Sequence, residues 1–325
     1  MLITRTPLRI SFMGGGTDMP KFYEKNGGAV LSTSINKYIY LSGHEYFYSD
    51  KMLIKYSETE EVSDVDEIKH KIIREVFRRF KINSIDFNST ADIPGGTGMG
   101  SSSTFTSGLI KLCSEYTNKI MTNLEIAEFA CDIEINILNE PIGKQDQYAA
   151  SIGGLNLIQF NSNGTTEVKP LQLPFQQRVM LENNLHLFYT GINRSASKVL
   201  KTQNENLDND PNIFIQMNKM KEMVFDLYDE LSSGNNDSMG FFLNEGWQIK
   251  KKLASGISDS YIDEIYLEAL NSGATGGKLL GAGGGGFLLF YCPEKNKLNF
   301  LKKFNLLKKV DFKFDNSGTT LLFKN

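Results

Sequence analysis

The chain has 325 residues, 40% of them apolar, and 29 glycines. At roughly 100–200 residues per domain, that length suggests two domains, each large enough to bury a core without staples. Lys and Arg total 35 against 38 Asp and Glu, a formal net charge of −3; the strong field needed to wrap nucleic acid or lie on an anionic membrane is missing. The N-terminal MLITRTPLRISF is interrupted by Arg5 and Arg9, which leaves no apolar core of signal-peptide length. The strongly apolar run at 286–292 is far short of the ~20 residues that span a bilayer. Cys113, Cys131 and Cys292 lie too far apart for a disulfide framework or a zinc site and read as buried free thiols of a reducing compartment. The three histidines are equally scattered. A cytoplasmic protein is expected, with no nucleic-acid or membrane partner.

Residues 3–12 and 29–44 read as strands, rich in Ile, Val, Thr and Tyr and bounded by glycine. Residues 67–80 carry apolar side chains at helical spacing. An extended segment at 85–89 leads into a glycine-packed loop at 92–100, and a helix follows over 101–116. Thr122-Asn-Leu-Glu125 forms a capping box that starts the next helix, which Pro141 and Gly143 end. The stretch 170–184 is polar and loop-like, and a domain boundary is placed there, giving an N-terminal domain 1–180 and a C-terminal domain 181–325. Beyond it come a buried strand at 185–190, a long amphipathic helix at 212–231, and helices near 239–254 and 261–272. A second glycine loop at 281–286 precedes strands at 286–292 and 312–323. A basic helix between those two strands would expose the lysines at 302, 303, 308 and 309.

Three glycine clusters stand out, at 14–16, 95–100 and 281–286. In the central one, DIPGGTGMGSSS, glycines shape a loop and serines open a helix. Free amides at a helix start carry partial positive charge and suit phosphate oxygens, and serine hydroxyls can ligate Mg²⁺. The loop has no lysine after its spacer, so it is not a Walker A loop, and it reads GxGxG rather than the GxGxxG of dinucleotide folds. A serine-rich N-cap is the structural alternative. Two acids follow. Glu134 lies on the stripe Ala127, Cys131, Glu134, Leu138, where a carboxylate is costly unless paired or bound to a cation; magnesium beside phosphate fits, and so does an internal salt bridge. Asp146, just past the turn at Gly143, is either a reacting acid or a helix N-cap.

Four segments, PLRISFMGGGTD (7–18), PGGTGMGSSS (94–103), PIGKQDQ (141–147) and KLLGAGGGG (278–286), occur in the order found in the GHMP small-molecule kinases. The chain resembles that family from residue 7 to residue 286. The resemblance implies an α+β, two-domain GHMP kinase fold with the active site in the interdomain cleft, and phosphoryl transfer from ATP to an alcohol. Pro94, Gly95, Gly96, Thr97, Gly98, Met99, Gly100, Ser101, Ser102 and Ser103 would wrap the ATP phosphates. Ser102 and Glu134 match the Mg²⁺-binding pair, and Asp146 matches the catalytic aspartate. Arg9 and Lys144 are candidates to hold Asp146 ionised or to meet phosphate charge. Asp18 falls where galactokinases bind sugar hydroxyls, and Gly283 and Gly284 belong to the loop that would help close the cleft.

Where galactokinases have Glu-His before Thr-Asp, this chain has Gly15-Gly16 before Thr17-Asp18. The GGGTD form, GKQDQ and TGINRSASKVL (190–200) resemble the branch of the bacterial D-glycero-D-manno-heptose 7-phosphate kinases, with L-fucose kinases as relatives. That branch implies phosphorylation of the anomeric hydroxyl, giving heptose 1,7-bisphosphate for nucleotide-activated heptose synthesis. Arg194 and Lys198, four residues apart, would share a helix face and clamp the 7-phosphate; ordinary surface charge is the other reading of this pair. An unphosphorylated sugar such as L-fucose, or a non-catalytic binding relative, are the alternatives. The expected partners are ATP and a small sugar phosphate, with a homodimer left open.

Overall fold

The computed structural model describes residues 1–48, 50–193 and 196–325. Its frame is a pair of long antiparallel strands, β1 (Leu2–Met13) and β2 (Gly28–His44). β2 serves two neighbours in turn: Gly28–Thr33 pairs with β6 (Leu155–Phe160), and Ile39–His44 pairs with β5 (Ile85–Ala91). The sheet continues through β3 (Met52–Lys55), which runs parallel to β5, and β4 (Thr59–Val62), while β7 (Thr166–Pro170) extends β6. The C-terminal strand β12 (Thr320–Lys324) returns to pair with the free edge of β1, completing eight strands among the described residues. From Thr6 to Met13, β1 is buried at every residue, so both of its faces are covered. Helices α3 (Ser101–Tyr116) and α5 (Gln145–Ile152) pack against it, as do α8 (Pro211–Ser232) and α9 (Ser238–Lys250).

A second, antiparallel sheet runs β11 (Lys308–Val310), β8 (Leu185–Tyr189), β10 (Phe287–Tyr291), β9 (Gly276–Leu279). Its aromatic core stacks Phe300 on Phe304 at 4.8 Å between ring centroids, with Phe188 5.1 Å from Phe304. The buried apolar cluster is continuous from Leu8 and Ile10 of the first sheet to Leu288 and Phe290 of the second. The shared core holds the loops between the two layers in place.

Several local expectations change. Glu67 ends a short 3₁₀ turn closed by an Asp64 capping box, and the helix begins only at Lys71, where His70 accepts from Ile73 N. The capping box at Thr122 forms as read, Thr122 Oγ1 accepting from Glu125 N and Glu125 Oε2 from Thr122 N at 2.7 Å. The helix it opens, α4 (Asn123–Cys131), widens into a π segment, Asp132–Ile137, with Leu138 N donating to Ile133 O. The polar stretch 170–184 contains a helix, α6 (Phe175–Asn184), polar because much of it faces solvent. Residues 312–323 are not one strand: Phe314 makes an isolated bridge to Ile35, and Asp315 turns the chain by accepting from Ser317 N before β12 begins. Lys302 and Lys303 end the basic helix α11 (Glu294–Lys303), while Lys308 and Lys309 belong to β11. Cys113, Cys131 and Cys292 are free and buried. Among the described residues no helix is long and apolar enough to cross a membrane.

Candidate active site

The central glycine loop alternates. Thr97 and Met99 are buried, and Thr97 Oγ1 donates to Pro94 O inside the loop. Gly96, Gly98 and Gly100 alternate with these anchors and line the cleft, whereas Pro94 and Gly95 do not. Gly98 shows why the sequence is glycine there. Its φ is +83°, and a Cβ would stand 2.5 Å from Leu280 O. Gly281 answers from the other loop, where a Cβ would come 2.5 Å from the Gly98 Cα. The two glycine-rich loops therefore touch backbone to backbone.

Gly100 is the N-cap of α3 and supplies no side-chain oxygen, so the first amides of the helix keep free donors. Ser101 Oγ beside them is buried without a partner. This entrance suits phosphate oxygens. One residue on, Ser102 Oγ donates to Glu134 Oε1 at 2.8 Å, and Gln147 Nε2 donates to Oε2 at 2.7 Å. Glu134 is 1% exposed, and no cation forms a salt bridge with it among the described residues. Burial pushes its carboxyl up, opposed by hydrogen bonds from Ser103, Ser102, Gln147 and Thr106. A carboxyl held by neutral donors beside a phosphate cradle suits Mg²⁺, which takes oxygen ligands and keeps several waters. The described residues contain no cluster of three or more His, Cys, Asp and Glu, so substrate phosphate and water would complete that set.

Asp146 lies in the first turn of α5, two residues past the N-cap Lys144. It is not a cap. Its carboxylate takes the Arg9 fork, from Nε at 2.6 Å and from Nη2 at 2.7 Å, and Arg9 Nη1 donates to Gly98 O at 2.6 Å. A single buried guanidinium thus fixes both the acid and the phosphate loop. Asp18 is 2% exposed and accepts from Gly16 N at 2.9 Å, Gln145 N at 3.1 Å and Gln145 Nε2 at 3.2 Å. Burial raises its pKa, and the nearby Asp146 charge adds to the rise.

The cleft gathers Arg9, Gly15, Gly16, Asp18, Ser101, Ser102, Ser103, Glu134, Asp146 and Gly283. Other expected residues lie elsewhere. Lys144 is corrected: its Nζ donates to Gly164 O and sits over the Tyr23 ring, away from Asp146. Thr17 Oγ1 is engaged with Gly14 O and Ala29 O, and Gly284 N donates to Ile257 O. Arg194 and the side chain of Lys198 lie outside the described residues. Two further lysines stand in the cleft. Lys250, at the end of α9, donates to Gly281 O; burial lowers its pKa to about 8, and Arg9 adds to the fall. Lys278 of β9 donates to Ser11 O at 2.8 Å and Phe12 O at 3.1 Å, its pKa pushed well down by burial and then by Lys250. Lys250 could have been found, since Met239, Leu243 and Trp247 place it on a buried stripe as surely as Ala127 and Cys131 place Glu134.

Residues 68–154 match the GHMP kinases N terminal domain, and residues 227–305 match the GHMP kinases C terminal domain. The chain is 30% identical to the D-glycero-alpha-D-manno-heptose 7-phosphate kinase of Campylobacter jejuni, over 92% of this chain and 91% of that protein. It is 26% identical to the bifunctional fucokinase/GDP-fucose pyrophosphorylase of Arabidopsis thaliana, over 91% of this chain and 30% of that longer protein. Its fold is that of a D-glycero-D-manno-heptose 1-phosphate kinase structure from Bacteroides thetaiotaomicron, with a TM-score of 0.82 and 24% identity, each chain covered in full. With both halves of the family and a full-length relative matched, and the phosphate loop, the buried acids and Arg9 in one cleft, the chain belongs to the GHMP kinases and is an ATP-dependent phosphotransferase.

Proposed function

We propose that this kinase phosphorylates the anomeric hydroxyl of D-glycero-D-manno-heptose 7-phosphate, giving the 1,7-bisphosphate for nucleotide-activated heptose synthesis. The observation that carries the reading is the Arg9–Asp146 pair set against the Gly98 loop, in a chain whose full-length relative is named a heptose 7-phosphate kinase. The anomeric oxygen would bond to the γ-phosphorus as the bond to the bridging β–γ oxygen breaks, and ADP leaves. Asp146 orients the hydroxyl and takes its proton. Arg9 grips both oxygens of Asp146 and ties it to the loop, so that acid and γ-phosphate stay in register. The amides from Gly96 to Ser103 and the Ser101 hydroxyl bind the ATP phosphates. Ser102 and Glu134 would hold Mg²⁺, which when bound neutralises charge on the phosphates. Arg194 and Lys198 are assigned to the 7-phosphate, and the division into domains near residue 180 is retained as part of this reading.

Turnover with ATP and Mg²⁺ across heptose 7-phosphate, mannose 6-phosphate, L-fucose, galactose and mannose tests the proposal. The heptose phosphate should have the highest kcat/KM by at least about tenfold, the worth of one charge-assisted contact. Preference for L-fucose would move the substrate to a free sugar and remove the phosphate clamp.

A further inference from the structure

Gly15 marks a small empty space with an unusual lining. A Cβ built there would find as its nearest neighbours Gln145 Nε2 at 3.7 Å, Ser11 Oγ at 3.7 Å and Lys250 Nζ at 3.8 Å. All three atoms are polar heads, and none is closer than ordinary van der Waals contact. They come from β1, α5 and α9, so parts of the chain more than 200 residues apart converge on one point.

The heads also have unused capacity. Ser11 is 6% exposed, and its Oγ has no partner. Gln145 gives one Nε2 proton to Asp18, and its second has no acceptor among the described residues. Lys250 donates to Gly281 O, and two of its three ammonium protons remain without an acceptor among the described residues. A buried polar atom without a partner costs free energy, so a cluster of them facing one gap is best explained by a ligand that supplies the missing bonds.

The mix of donors and acceptors identifies the ligand class. Lys250 Nζ and Gln145 Nε2 can only donate, and Ser11 Oγ can do either. A phosphate here would stand against the Asp18 carboxylate, which already takes one of the Gln145 Nε2 protons. Two neighbouring hydroxyls satisfy all three heads, one accepting from Lys250, the other accepting from Gln145 Nε2, and one of them paired with Ser11 Oγ.

We propose that Ser11, Gln145 and Lys250 form a hydroxyl-recognition subsite beside Gly15 that takes an adjacent pair of acceptor hydroxyls, with Lys250 as its specificity-determining residue. Any side chain at position 15 would fill this gap. The subsite rests on the sugar-kinase reading, because it needs a polyhydroxylated acceptor next to Asp146.

The test compares wild type, Lys250→Met and Ser11→Ala with D-glycero-D-manno-heptose 7-phosphate and its 2-, 3- and 4-deoxy analogues. Ser11→Ala removes only an unpartnered hydroxyl and leaves the packing in place. The subsite predicts that Lys250→Met raises the acceptor KM about 10- to 100-fold, with the KM for ATP unchanged within about twofold. Ser11→Ala raises the acceptor KM less. One deoxy analogue should lose as much in wild type as the parent sugar loses in Lys250→Met, and that analogue should suffer no further loss in the variant. Equal losses across every analogue, or a rise in the KM for ATP instead, overturn the subsite while the kinase reading stands. Failure of the wild type to turn over any sugar overturns both.

Discussion

Both oxygens of Asp146 are held by the Arg9 fork, and the third guanidinium nitrogen grips Gly98 O. Arg9 is 3% exposed, so its charge is weakly screened, and its loss leaves the half-buried Asp146 carboxylate without a counter-charge beside phosphate. Replacing Arg9 by Met is expected to lower kcat about 100-fold, in the range seen when one oriented charged donor is removed. Lys at this position should recover only part of the rate, because a point charge cannot bind a carboxylate as a fork. Full activity in Arg9→Lys, measured as initial rates at saturating ATP, would show that charge alone suffices. Glu134 was legible because a carboxylate stood on an apolar stripe, and Arg9 because it lay within a motif. Lys144, although two residues before Asp146, spends its side chain on Gly164 O and the Tyr23 ring instead. Lys250 and Lys278 depend on contacts across the whole chain, which local spacing reports only as buried positions.

At the scale of elements, the contact between the two glycine-rich loops sets how phosphate loop and cleft meet. Gly98→Ala would hold an L-residue at positive φ and drive a Cβ into Leu280 O. The conformational part alone costs about 1–2 kcal/mol, and the displaced loop should raise the KM for ATP more than that for the sugar. Thermal unfolding and the two KM values measured together check this; an unchanged KM for ATP would mean that the loop does not cradle phosphate. The helix over Ser101–Tyr116 was legible to the residue, since glycine and serine punctuate its start and apolar spacing sustains it. The strands Met52–Lys55 and Gly276–Leu279 were not, because four residues carry too little period to read. Helix α6 was hidden by its polarity, and the π segment by the fact that its residues keep helical spacing.

At the scale of the whole molecule, the second sheet carries a pH liability remote from the cleft. His186 of β8 is 3% exposed, 5.6 Å from the Phe300 ring, and its Nε2 has no partner. Burial, with Lys309 and Lys297 nearby, lowers its pKa to about 4. The unfolded chain therefore takes up this proton at higher pH than the folded one, and stability falls as pH drops from about 6.5 towards 4. The loss should be on the order of 2–3 kcal/mol, and His186→Phe should flatten it in urea unfolding at pH 7 and pH 4.5; an unchanged slope would place the acid sensitivity elsewhere. The continuous core joins this sheet to the one that carries Arg9 and the phosphate loop, so fold and chemistry stand together. The most direct measurement of that chemistry is phosphorus NMR of the product formed from ATP, Mg²⁺ and D-glycero-D-manno-heptose 7-phosphate, with Asp146→Asn beside the wild type. A second phosphate signal, coupled to the anomeric proton and formed by wild type at a rate at least about 100-fold above the variant, is the predicted result. A phosphate on any other carbon, or equal product from Asp146→Asn, would contradict the account.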